Sequence, residues 1–224
     1  MYKKLIAFVF LLFSGILFSQ VKKDSIKVEK TYIQLMQENL ALFPNSKTAE
    51  DFERLYQSFI KIAEKEKKMW LPYYYASYAK ILHGKNLIKE GKGGAELMTT
   101  ADVAQKALKK SMALSENAEN WILQKLIYQL EYYEKPVTEY QKGGSMALQA
   151  LSLAEKLDSR NPRVALLKSE DLYFSPKNKG GDKVKGLEFY KKTSKLFNSY
   201  KSKVQFYPTW GAEEAEAVIA KGGK

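Results

Sequence analysis

Apolar residues return at three- and four-residue intervals along most of this chain, the spacing of helices that bury one face. From Val21 to Ala41, Ile26, Tyr32 or Ile33, Met36 and Leu40 predict a first helix, with Asp24 or Ser25 as its start signal. Phe43-Pro44-Asn45-Ser46 closes it. Thr48–Lys65 reads as a second, with Phe52, Leu55, Phe59 and Ile62 or Ala63 on one face and a charged, solvated end over 64–68. Trp70-Leu71-Pro72 opens a strongly apolar third helix that fades at Gly84 or runs to Leu87. A glycine-rich loop, Gly91-Lys92-Gly93-Gly94, leads to helices over Met98–Leu114 and Asn117–Tyr133, and Pro136 marks the exit from the latter.

The stretch Gly143–Phe197 carries the clearest pattern. Ala147, Leu148, Leu151, Ala154 and Leu157 share one helix face. Asp158–Pro162 breaks that helix, and Asn161 and Pro162 suit the cap and first turn of the next. Val164, Leu167, Asp171 or Leu172, and Phe174 carry it until Ser175-Pro176, since the residue before proline is pushed out of the helical region. Gly180-Gly181-Asp182 predicts a tight turn with positive φ and a capping aspartate. The helix after it should turn Val184, Leu187, Phe189 or Tyr190, and Leu196 or Phe197 inward. Tyr200–Gln205 reads as a connector, and Pro208-Thr209-Trp210 opens a last helix, Ala212–Ala220, placed to cap the open end of a stack. Lys-Gly-Gly occurs at Lys92, Lys142, Lys179 and Lys221, and the first three copies are expected at turns between paired helices.

The run Ala150-x3-Ala154-x2-Leu157-Asp158-x2-Asn161-Pro162 resembles the tetratricopeptide-repeat (TPR) family, which pairs two helices in about 34 residues with a proline near the junction. A weaker copy, Ala107-x3-Ser111-x2-Leu114-Ser115-x2-Ala118, lies 43 residues earlier. Trp121 stands where the family's Trp-x2-Leu-Gly signature begins, but Gln124 and Lys125 occupy its Leu-Gly places, so the repeats are divergent. The likeness covers residues 48–200 and is closest in kind to small secreted TPR proteins of Gram-negative bacteria. It implies an all-α, right-handed solenoid of antiparallel helix pairs with a capping helix. The pairs would be 24–65, 70–115, 117–158 and 161–197, with the cap over 208–220. It further implies a concave groove for a protein or peptide, with Tyr73, Gln124, Lys168 and Asp171 as groove candidates.

Composition narrows the classes. At 224 residues and 45% apolar content the chain can bury a full core. It has no cysteine, which excludes disulfides, thiolate nucleophiles and cysteine-ligated metals. Met1-Tyr2-Lys3-Lys4, the mostly apolar run Leu5–Phe18 and the small Ser19 form a signal-peptide layout, too short to span a membrane comfortably. The expectation is therefore cleavage near residue 19, one helical domain over 20–224, and a periplasmic or secreted location. The net charge of +12 would ordinarily bring nucleic acid to mind, but export argues against it.

Catalytic chemistry finds little support. His83 is the only histidine and has no H-x-x-x-H partner for a metal, nor a G-x-S-x-G nucleophile for a triad, so it reads as an exposed or helix-end residue. Glu213-Glu214-Ala215-Glu216 and Glu170-Asp171 are acidic pairs, but adjacent helix positions do not face each other as a hydrolase's two carboxylates must. No phosphate-loop glycine pattern is present. No cofactor and no metal are expected. The residues thus favour a non-enzymatic binding protein. Two features could serve it. Trp70, Tyr73, Tyr74, Tyr75 and Tyr78 offer one helix face for packing and another for a groove. Between Lys177 and Lys203 there are nine lysines against two acids and no arginine. That basic face, with Lys177, Lys179, Lys183, Lys185, Lys191, Lys192 and Lys195, could dock an anionic partner or envelope surface as part of a transport accessory.

Overall fold

The structure is a computed structural model that describes residues 30–222 except 134 and 136. The signal-peptide stretch, the start signals Asp24 and Ser25, and Pro136 lie outside the described residues. Among the described residues there are nine α-helices, two short 3-10 turns and no strand. The helices are α1 (Tyr32–Leu40), α2 (Ala49–Lys65), α3 (Trp70–Lys89), α4 (Gly94–Leu114), α5 (Ala118–Glu131), α6 (Val137–Leu157), α7 (Pro162–Phe174), α8 (Lys183–Ser199) and α9 (Ala212–Gly222). The protein is all-α, and residues from Thr31 onward form one compact unit.

Local chemistry sets most boundaries. Thr48 accepts from the Asp51 amide while Asp51 accepts from the Thr48 amide, a capping box that starts α2 where the pattern places it. Asn161 accepts from the Arg163 amide, with Pro162 in the first turn of α7, and Asp182 accepts from the Lys185 amide to start α8. The first helix departs from expectation. Thr31 is extended and caps α1 in a box with Gln34, so no single helix runs from Val21 to Ala41. Helix α4 also begins earlier than Met98, at Gly94.

Packing corrects the reading of the glycine repeats. Gly94 (φ +63°) and Gly180 (φ +87°) sit at turns in the left-handed region, as expected. Gly143 lies inside α6 instead. A Cβ there would stand 2.1 Å from the Tyr132 ring, so this glycine permits close packing and makes no turn.

Each of α2 to α6 packs on its sequence neighbours, α7 packs on α8, and α8 on α9. Helix α3 also reaches α5. Helix α3 is enclosed over most of its length, with Tyr74, Ala76, Ala79 and Ile81 fully buried. One core runs from Met36 through Phe59, Leu108 and Ile122 to Ala154 and Leu167. A second, smaller one joins Leu166, Tyr190 and Ala215 of α7, α8 and α9. Leu148 and Leu157 of α6, Phe174 of α7 and Val184 of α8, expected inside, are exposed; of the alternatives on α8, Tyr190 is buried and Phe197 partly so, while Phe189 and Leu196 face solvent. On α8 the buried positions are Gly186, Tyr190 and Thr193, because the face that meets α7 is rotated from the one the apolar pattern selects.

Ala154 is fully buried on α6, whose helix packs on α5. Replacing it with Phe should overpack that site and lower unfolding stability by about 1–3 kcal/mol. A urea midpoint equal to that of the parent would rule out this packing.

Candidate functional site

A cleft of about 910 Å³ opens between the first three helices and the segment 200–211. Its walls are Leu40, Phe43 and Phe52 on one side, Tyr75, Tyr78 and Leu82 of α3 at the base, and Tyr200, Val204, Phe206, Tyr207 and Trp210 on the other. Its size lies within the range of about 300–1,000 Å³ typical of small-molecule sites. Aromatic rings dominate it. Phe43 lies 5.5 Å from Tyr78 and 5.9 Å from Tyr75, and Trp210 stacks on Tyr78 at 4.8 Å.

In sequence, Tyr200–Gln205 reads as a connector and Pro208-Thr209-Trp210 as the opening of the last helix. In the fold the 200–211 segment crosses back to α3 and becomes a wall. Tyr75 Oη donates to the Phe206 carbonyl at 2.8 Å, and Trp210 Nε1 donates to Tyr74 Oη at 2.8 Å. Phe206 has φ +60°, a strained conformation for an aromatic residue. Its carbonyl bond and the edge contact of its ring with Tyr32 hold it there.

Beneath the segment lies a buried ion pair. Glu119 of α5 and Arg163 of α7 are both essentially inaccessible, at 0% and 1%. Arg163 Nε and Nη2 donate to the Glu119 carboxylate at 2.6–2.9 Å. Asn161 Nδ2 donates to it at 2.6 Å, and Tyr74 Oη at 3.3 Å. The Arg163 guanidinium also faces the rings of Tyr200, Tyr207 and Trp210 at 5.7–6.0 Å. Burial alone disfavours the Arg163 charge, but the Glu119 carboxylate more than reverses this and raises its pKa. Burial, then Glu119, pushes the Tyr74, Tyr75 and Tyr207 phenols up, so they stay neutral at ordinary pH.

The four groove candidates lie elsewhere, and none lines the cleft. Tyr73 is buried and donates to the Ala63 carbonyl at 3.3 Å, with Lys110 Nζ 5.4 Å above its ring. Gln124 exchanges two hydrogen bonds with Gln105 at 2.7 and 2.9 Å. Asp171 accepts from the buried Lys125 Nζ at 2.9 Å. Lys168 pairs with Glu155 at 2.5 Å. The α3 face that meets the cleft is that of Tyr75, Tyr78 and Leu82. Lys177, Lys179, Lys183, Lys185, Lys191, Lys192 and Lys195 are all exposed. His83 is neither exposed nor at a helix end. It sits within α3 with its Nδ1 3.5 Å from Glu53 Oε2, and burial followed by the Lys80 charge lowers its pKa. Glu213 and Glu214 border the cleft on the first turn of α9, exposed to solvent. Among the described residues no three His, Cys, Asp or Glu side chains gather to hold a metal, and no helix is long and apolar enough to cross a membrane.

No family model and no curated protein matches this chain. A solved structure does. The chain shares its fold with the HusA haemophore from Porphyromonas gingivalis. The TM-score is 0.74, over 86% of this chain and 93% of that one, at 22% identity. That identity makes the likeness one of fold.

Sequence reasoning missed Glu119, Arg163, Phe206, Tyr207 and Trp210 as a unit. The available signal was density: four aromatics fall between Tyr200 and Trp210 in a stretch with no helical period. Glu119→Gln should leave Arg163 buried without its counter-charge and cost about 3–5 kcal/mol of stability by urea denaturation. The pair replacement Glu119→Leu with Arg163→Met should recover much of that loss. A Glu119→Gln midpoint within error of the parent would mean that the pair is not a structural anchor.

Proposed function

We propose that this chain is an exported, non-enzymatic binding protein that holds a flat, largely apolar ligand of the tetrapyrrole class in the aromatic cleft. The single observation that carries this reading is the cleft itself, a roomy cavity with ring-bearing side chains on every wall. The shared fold with a haemophore supports it. Lys47 and Lys201 border the cleft, are exposed and form no ion pair among the described residues, so they suit the carboxylates that such ligands carry. The lining has no His, Met or Cys, and the hydroxyls of Tyr75 and Tyr200 are engaged by the Phe206 carbonyl and Asp158. The rings would meet the face of a macrocycle, and the hydroxyls of Tyr78 and Tyr207 also border the cleft.

We read the signal-peptide layout as export to the periplasm or the cell exterior. We read the helix order as a divergent TPR-like, right-handed stack of helix pairs, which the packing of sequential helices and of α3 on α5 supports. A second reading, a groove for a protein or peptide, draws on that likeness and on the polar Lys47, Asn198 and Thr209 among the aromatics of the cleft.

Titration of the chain with haem should give a saturable change in the Soret band. Val204→Asp places a charge on the exposed apolar edge of the cleft and should weaken binding about tenfold or more, a loss of about 1.4 kcal/mol. Its thermal stability should not change. An unaltered Soret band, together with capture of peptides that Val204→Asp abolishes, would replace the tetrapyrrole reading with the peptide one.

A further inference from the structure

The outer face of α8 mixes exposed apolar side chains with lysines. Its inner face is settled: Tyr190 packs on Leu166 and Ala215, and Thr193 Oγ1 meets Ser169 Oγ at 3.2 Å. Two stripes at helical spacing remain outside. One carries Lys185, Phe189, Lys192 and Leu196, and the other Val184, Glu188, Lys191 and Lys195. The apolar members stand in water, with Val184 72%, Phe189 43% and Leu196 36% exposed. Lys192 Nζ lies 5.4 Å over the Phe189 ring. Phe174, 64% exposed, ends the helix before, and Lys177 and Lys179 follow in the turn between the two. Among the described residues one lysine of this set has an ion pair, Lys185 with Asp182 at 3.6 Å.

A solubility surface would not interleave large apolar side chains with unpaired lysines. The combination is that of an interfacial helix, whose apolar side chains enter the headgroup boundary while lysines meet anionic lipid. From it we infer that α8 is a docking face for an anionic phospholipid surface, separate from the cleft. The charge is complementary: Lys177, Lys179, Lys183, Lys185, Lys191, Lys192 and Lys195 stand on or just before this helix against Asp182 and Glu188. Lysine without arginine fits a diffuse layer of phosphate charge better than the two-pronged recognition of carboxylates on a protein. Phe189, Leu196 and Val184 then supply the apolar contact that charge alone lacks.

Because the chain has no cysteine, Phe189→Cys in the full chain gives a unique site for an environment-sensitive fluorophore, and Lys61→Cys on α2 gives an exposed control. The probe reads the surroundings of α8 even if the Leu5–Phe18 stretch holds the chain on a vesicle. Phosphatidylglycerol vesicles should shift the emission at position 189 to the blue, and phosphatidylcholine vesicles should not. The shift should be lost in about 1 M salt, where the screening length is about 3 Å. Changing Lys185, Lys191, Lys192 and Lys195 to Gln should weaken the response on the order of a hundredfold or more. The label at Lys61→Cys should stay unchanged throughout. Equal responses at the two positions, or none at 189, would overturn the proposal. A response to soluble polyglutamate but not to vesicles would overturn it too, and would assign the face to an acidic polypeptide.

Discussion

The buried pair of Glu119 and Arg163 is the constraint on which the rest of this structure hangs. Two charges out of water are costly unless every lone pair and proton has a partner. Here the carboxylate takes Arg163, Asn161 and Tyr74, and Tyr74 in turn takes Trp210. The pair thus ties α5 to α7, reaches α3 through one phenol and fixes the last segment through one indole. It is weak evidence for net stability and strong evidence for a single arrangement, since each alternative placement of α7 strands a charge.

The cleft follows from that arrangement. Segment 200–211 has no helical hydrogen-bond ladder of its own. It is ordered by side chains of α3 and by the guanidinium behind it, and its rings complete a cavity that α1 to α3 leave open. What makes the site is therefore a loop laid on a rigid helix, with the aromatic residues of both facing one another. The α8 lysines do not line this cleft, although Phe197 and Asn198 at the end of the same helix do.

The sequence and the structure agree where local chemistry decides. Thr48, Asn161-Pro162 and Asp182 announce helix starts that tertiary contacts do not override. They part where a distant partner decides. Gly143 looks like a turn glycine until Tyr132 is brought against it. Val184 looks like a core residue, and Phe189 competes with Tyr190 for that place, because apolar periodicity says which residues share a face, not which face meets a neighbour. Tyr73 and Tyr75 are two positions apart on one helix, and only the placement of α2, α4 and the last segment tells which of them meets the cleft. Glu119 is indistinguishable in sequence from a solvated helix charge.

The ties of the last segment also set an order of assembly. Most helices pack on the next in the chain, contacts that close short loops and form quickly. The bonds from Tyr75 to Phe206 and from Tyr74 to Trp210 span 131 and 136 residues. A chain made from its N-terminus can complete its helical body while this cleft still lacks a wall. The cleft is thus completed late in folding, and a chain cut short before Phe206 would keep most of its helices and lack this wall.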